Sequence, residues 1–267
     1  MARKPAQSGR TALVTGASSG IGEALARCFA QGGFGLVLVA RTADKLQALA
    51  DELQAVHGVA VRVLPADLCA PGAAAALAAA LERKHVTVDV LVNNAGVLEQ
   101  GAFCDIAAAR HQQLIDLNVS ALTAMLAQFV PGMRERGWGR VLNVASIAAF
   151  QPLPSLATYA ATKAYVLSLT EALSVELEGS GVKCSALCPG VTATPMIGPE
   201  GSGPLSSLPA FMIGDAADVA AQGYQACLRG EVICVPGWLN RAGTLVARVT
   251  PKRLLRSLGG ALTRGRA

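Results

Sequence analysis

Residues 11–22 read TALVTGASSGIG. Thr11–Thr15 is a short apolar, β-branched run of the kind that forms a buried strand, and a helical pattern begins inside the small residues after it. Gly16, Gly20 and Gly22 allow the chain to turn tightly and its backbone to come close to a bound group. The first N–H groups of the helix have no partner within it, so they can face an anion such as a pyrophosphate. A strand, a glycine turn and a helix in this order open a dinucleotide-binding sheet, although a purely structural turn has the same local appearance.

Working outward, the same alternation repeats along the chain. Strands are predicted near 11–15, 35–40, 59–65, 88–93, 140–145, 182–188 and 231–235, and helices at about 20–32, 43–57, 71–84, 105–136, 156–179 and 215–229, the fourth long and open to interruption. Alternating strands and helices give βαβ units with right-handed crossovers. The expected fold is therefore α/β: a single-domain, Rossmann-type, doubly wound parallel sheet of about seven strands with helices on both faces. Residues 1–240 form the expected catalytic and dinucleotide-binding domain, with a Pro-, Gly- and Ser-rich segment at 195–214 read as a lid over substrate; 241–267 is a basic extension.

Composition agrees with one densely packed domain: 267 residues, 52% hydrophobic and 15% charged. Those proportions exclude a disordered chain. The first residues carry no apolar stretch of signal-peptide type, and no uninterrupted apolar run approaches the roughly 18 residues of a membrane span. Seven cysteines without a CxxC pair argue against a zinc site or a disulfide framework, and a reducing cytoplasm is the expected compartment.

The chemistry is concentrated further along. Tyr159 and Lys163 stand one helical turn apart in YAATK, and Ser146 ends a strand 13 residues upstream. A lysine held beside a tyrosine favours the phenolate, which would bring the phenol toward the range of a general acid or base. A Tyr and Lys at this spacing are otherwise an ordinary solvated helix face.

With Ser146, TGASSGIG, Asn93-Asn94-Ala95-Gly96, Asn118 in DLNVSA and Pro189-Gly190 in order, the sequence from Thr11 to about Gly237 resembles the short-chain dehydrogenases/reductases. That resemblance implies Asn118, Ser146, Tyr159 and Lys163 as the catalytic set. Tyr159 would exchange the proton at the reacting oxygen, Ser146 would polarise the carbonyl, Lys163 would hold the nicotinamide ribose, and Asn118 would steady a water leading to solvent. The dinucleotide would lie along Gly16, Ser18, Ser19, Gly20, Ile21 and Gly22, then Asp67 and Leu68 at the adenine. Asn94, Ala95 and Gly96 would follow, with Tyr159 and Lys163 at the ribose and Pro189, Gly190, Val191 and Thr194 beside the nicotinamide.

The second strand ends Val39-Ala40-Arg41-Thr42, with no acid to bind a ribose 2′-hydroxyl and an arginine able to take a 2′-phosphate, so NADP(H) is the expected cofactor. Apolar residues in the lid segment, among them Met196, Ile197, Leu205, Leu208 and Phe211, point to a hydrophobic carbonyl or alcohol substrate, such as a 3-oxoacyl, steroid-like or xenobiotic ketone. The alternative is a non-catalytic NADP-binding regulator or membrane-peripheral scaffold, in which loss of Tyr or Lys would be expected.

From Arg241 onward there are seven Arg or Lys and no acid, leaving 16 of the 23 basic residues against 18 acids before it. Residues 251–264 have helical apolar spacing. Three readings stay open for this tail: packing on the body or a partner subunit, lying on an anionic membrane surface, or no regular structure. Local charge without interleaved aromatics argues against nucleic acid, and the family resemblance implies a homodimer or homotetramer.

Overall fold

The computed structural model describes residues 9–195 and 213–250. Its strands are β1 (Thr11–Thr15), β2 (Gly35–Ala40), β3 (Val61–Pro65), β4 (Val90–Asn93), β5 (Gly139–Val144), β6 (Val182–Leu187) and β7 (Ile233–Cys234). The helices are α1 (Gly20–Gln31), α2 (Ala43–His57), α3 (Ala73–Glu82), α4 (Ala108–Ile115), α5 (Leu122–Glu135), α6 (Ala157–Glu176), α7 (Ala216–Arg229) and α8 (Trp238–Val249). All strand pairs are parallel, in the order β3-β2-β1-β4-β5-β6-β7.

Parallel strands covered on both faces need apolar residues at every position, and the strand pleat divides them between two layers. Ala12, Val14, Leu36, Leu38, Val90, Val92 and Leu142 point to one core, with Leu25 and Phe29 of α1, Leu46 and Leu53 of α2 and Val219 of α7. Their neighbours Leu13, Val37, Val39, Leu91 and Val141 point to the other, with Leu77 and Leu81 of α3, Met125 and Leu126 of α5 and Val166 of α6. The sheet order turns back between β1 and β4, so the crossovers on either side diverge and leave a crevice above the carboxyl ends of those strands.

Four of the cysteines, Cys184, Cys188, Cys227 and Cys234, are buried in these layers. Burial pushes Cys184, Cys188 and Cys227 up to about 12, so they remain thiols and pack as small hydrophobes.

The long helical run expected over 105–136 is one stack, Ala108–Glu135, interrupted at Asp116–Ala121 by a π-helical turn. Its 28 residues are long and apolar enough by composition to cross a membrane, but Leu114, Met125, Leu126 and Met133 sit in the core, which accounts for that apolarity. The last strand is shorter than the predicted 231–235. A helix that sequence periodicity did not identify, α8, runs across the expected boundary at residue 240.

The segment read as a lid, with Met196, Ile197, Leu205, Leu208 and Phe211, lies outside the described residues apart from its ends. Those ends are pinned together, Ala193 N donating to the Gly214 carbonyl at 3.0 Å and Gly214 N to the Val191 carbonyl at 2.8 Å.

Candidate active site

A cavity of about 930 Å³ opens in the crevice. At one end the glycine turn after β1 meets the turn after β4. Thr15, 1% exposed, is the stitch: its hydroxyl donates to the Val92 carbonyl and accepts from the backbone N–H groups of Asn94 and Ala95, both at 3.0 Å. Asn94 Nδ2 returns to the carbonyls of Thr15 and Gly16 at 2.9 and 3.2 Å.

Gly16 and Gly20 both have positive φ, and a Cβ on Gly16 would come within 2.8 Å of Asn94 Nδ2. Gly22 does not line the cavity. It lies inside α1, where a Cβ would meet the Gly16 carbonyl at 2.2 Å and Asn94 Nδ2 at 2.3 Å. Its part is to let the helix close onto the turn. Gly22→Ala is accordingly expected to cost about 1–3 kcal/mol through overpacking and to weaken dinucleotide binding, as urea unfolding and a fluorescence titration with NADPH would show. Unchanged values in both would mean that the turn yields freely.

The remaining residues predicted to hold a dinucleotide do line the cavity: Gly16, Ser18, Ser19, Gly20, Ile21, Arg41, Asp67, Leu68, Asn94, Ala95, Gly96, Tyr159, Lys163, Pro189, Gly190, Val191 and Thr194. Ser19, at the N-cap of α1, makes no side-chain capping hydrogen bond. The positive end of that helix therefore faces the cavity with first-turn N–H groups uncapped by Ser19, as a pyrophosphate requires. Arg41 stands exposed at the end of β2 and reaches the wall beside Asp67, Leu68 and Cys69. The residues that line the cavity thus fit a nicotinamide dinucleotide.

At the other end α6 brings its first turns to the cavity. A buried ladder fixes it: Asn93 Nδ2 donates to Asn143 Oδ1 at 2.9 Å, and Asn143 Nδ2 to Thr170 Oγ1 at 2.9 Å, tying β4 and β5 to the helix. Tyr159 is 8% exposed and Lys163 6%. Lys163 Nζ donates to the Val144 carbonyl at 2.8 Å. Ser146 caps the 3₁₀ turn Ile147–Phe150, accepting from Ala148 N at 3.1 Å, and its hydroxyl lies beside the Tyr159 phenol.

The protonation balance differs from the sequence expectation. Burial pushes the Tyr159 phenol above its ordinary value, and the hydrogen bond with Ser146 draws it partly back. Burial also lowers Lys163, to about 8. Nζ lies 5.8 Å from the centre of the Tyr159 ring and spends a hydrogen bond on Val144, so desolvation outweighs any pull of the ammonium on the phenol.

Asn118 lies at the π-helical turn but is not part of the cavity wall. It is 1% exposed, and its side chain is taken up by neighbours. Oδ1 accepts from Val97 N at 2.9 Å, and Nδ2 donates to the Val97 carbonyl at 2.9 Å and to Thr162 Oγ1 at 3.1 Å. A Cβ at Gly96 would sit 3.1 Å from Asn118 Oδ1 and 3.5 Å from Lys163 Nζ, so the missing side chain admits both. Here Asn118 is a positioning residue that joins α6 to the strand after which Val97 enters the cavity.

Sequence reasoning passed over Thr15 as a site residue, and also Ala109, Gln112, Gln113 and Asp116 of the α4 region, which line the wall. Their spacing of three and four is a legible helical face, but no motif marked it. It also passed over Leu98, Gln151, Leu153 and Leu156, which with Ile147 and Ala148 surround the end of the cavity next to Tyr159.

A family model described as short chain dehydrogenase matches residues 10–204. The protein named Oxidoreductase UcpA from Escherichia coli (strain K12) is 37% identical over 189 residues, covering 70% of this chain and 71% of that one. A short-chain dehydrogenase from Sphingobium yanoikuyae in complex with NADPH superposes with a TM-score of 0.80 at 36% identity, over 88% of this chain and 91% of that one. A short chain dehydrogenase/reductase from Burkholderia phymatum in complex with NAD gives a TM-score of 0.79 at 28% identity, over 90% and 92%.

Sheet, crevice and polar cluster together define an oxidoreductase of the doubly wound α/β type. The chain belongs to the short-chain dehydrogenase/reductase family.

Proposed function

We propose that the protein is an NADP(H)-dependent oxidoreductase that interconverts a hydrophobic ketone and the corresponding secondary alcohol. Arg41 carries the cofactor preference. At the carboxyl end of β2, where an acid would bind a ribose 2′-hydroxyl, the wall offers a guanidinium able to grip a 2′-phosphate through two parallel hydrogen bonds. The bound dinucleotide would supply or accept the hydride.

The chain's own residues handle the proton and the geometry. Tyr159, held as a phenol by burial, has a proton to give to a carbonyl oxygen in reduction. Ser146 would offer its hydroxyl to the same oxygen, and Lys163, locked to Val144, would bind a ribose hydroxyl. Leu98, Ile147, Ala148, Leu153 and Leu156 keep water away from that end of the cavity and favour an apolar substrate, with Gln151 the polar exception.

Steady-state kinetics with NADPH and NADH on a panel of 3-oxoacyl, steroid and aromatic ketones tests the reading. A hydrogen-bonded charge pair is worth about 1.5–3 kcal/mol, so kcat/KM is expected to favour NADPH by roughly 10–100-fold. Arg41→Asp is expected to remove or reverse that preference. Equal values for both dinucleotides in the unmodified enzyme would end the argument from Arg41, and tight NADPH binding without turnover across the panel would favour the non-catalytic regulator.

A further inference from the structure

Helix α8 presents its apolar side to solvent. Trp238, Leu239, Leu245, Val246 and Val249 are 76%, 43%, 62%, 62% and 83% exposed. At 3.6 residues per turn they fall, with Ala242, in one stripe about 120° wide along the whole helix. The opposite side holds the helix to the body through small or polar groups. Thr244 and Ala247 are buried, Asn240 Nδ2 donates to the Pro236 carbonyl at 2.8 Å, and Arg241 Nε donates to the Val235 carbonyl at 2.9 Å. A continuous exposed stripe of this kind marks an interaction surface.

Charge identifies what it meets. Seven Arg or Lys and no acid occupy 241–267: Arg241, Arg248, Lys252, Arg253, Arg256, Arg264 and Arg266. A two-fold contact with a second copy would bring one such stretch against its equal, with no acid within either to offset it. An anionic lipid surface satisfies both features, taking the apolar stripe at the headgroup boundary and attracting the cations that the sequence carries within and after the helix; a tryptophan at the start of the helix is well suited to that boundary.

We propose that α8 and the basic stretch after it dock the protein on anionic membranes. The placement bears on the site: α8 packs against the Ile147–Phe150 turn, and Asn240 lies against Gly190, both part of the cavity wall. The substrate end thus lies beside the docking helix, and an apolar ketone dissolved in the bilayer has a short path to Tyr159. Only this last point rests on the function proposed above.

Co-sedimentation of the full chain with phosphatidylcholine vesicles, with and without phosphatidylglycerol, decides the matter and needs no turnover, so its failure is separable from failure of the enzymatic reading. Binding is expected only with phosphatidylglycerol and is expected to be reversed by salt. Lys252→Gln/Arg253→Gln/Arg256→Gln should weaken it roughly a hundredfold. Leu245→Glu/Val249→Glu should abolish it while leaving NADPH binding in solution unchanged. Absence of vesicle binding, or binding indifferent to either variant, overturns the proposal. So does a fall in solution mass in Leu245→Glu/Val249→Glu without vesicle binding by the unmodified chain, which would assign the stripe to a second copy.

Discussion

Tyr159→Phe is expected to lower kcat by about 10²–10⁴-fold, the range set by loss of a general acid, while the Kd for NADPH stays near that of the unmodified protein. The change removes one oxygen and keeps the ring. That ring clusters with Leu114, Ala148 and Ala160, so packing survives. The lost oxygen is the one beside Ser146 that burial keeps protonated at neutral pH. Turnover in the forward direction thus loses its proton source, and dinucleotide contacts elsewhere are untouched. Stopped-flow and steady-state absorbance of the reduced nicotinamide, with a fluorescence titration for binding, separate the two quantities. Retention of kcat within about tenfold would show that solvent or another group delivers the proton.

Much of this site could be read before any coordinates, because its chemistry sits on motifs bound to local structure. The turn after β1, the Asn94–Gly96 segment and the Tyr159–Lys163 pair each follow a strand or share a helix face, and the family resemblance carried by these motifs assigned them to one site. What spacing could not supply was solvation. The expectation that Lys163 would depress Tyr159 counted the attraction of a cation for a phenolate and not the cost of burying either charge, whereas both groups are buried and the lysine is turned to Val144. Asn118 was assigned to the site through its motif, but its partners Val97 and Thr162 are 21 and 44 residues away in sequence, and only folding reveals them. Helix α8 was missed for another reason. Sequence periodicity reports an apolar stripe without saying whether it faces inward, and in α8 that stripe points out.

Lys163→Met gives the second large effect, and it has two opposed parts. Activity is expected to fall by at least about 10²-fold, since the ammonium that orients a ribose is lost, while stability at neutral pH is expected to rise relative to the unmodified chain. Burial lowers Lys163 from 10.5 to about 8. Between those values the unfolded chain binds more protons at this position than the folded one, so stability increases with pH through the window. The contribution is complete above 10.5 and is lost as pH falls through 8. Below that, the folded state carries the whole penalty for holding a charged lysine away from water, on the order of 3 kcal/mol. Methionine has no proton to lose and carries no such penalty. The difference in unfolding free energy between the two proteins should therefore shift by about 2 kcal/mol between about pH 7 and pH 9.5, in favour of the unmodified chain at the higher value. Urea unfolding at the two pH values measures it. A difference that does not move with pH would place the Lys163 ammonium in contact with water, and the long-range hydrogen bond to Val144 could not then be what fixes the pair.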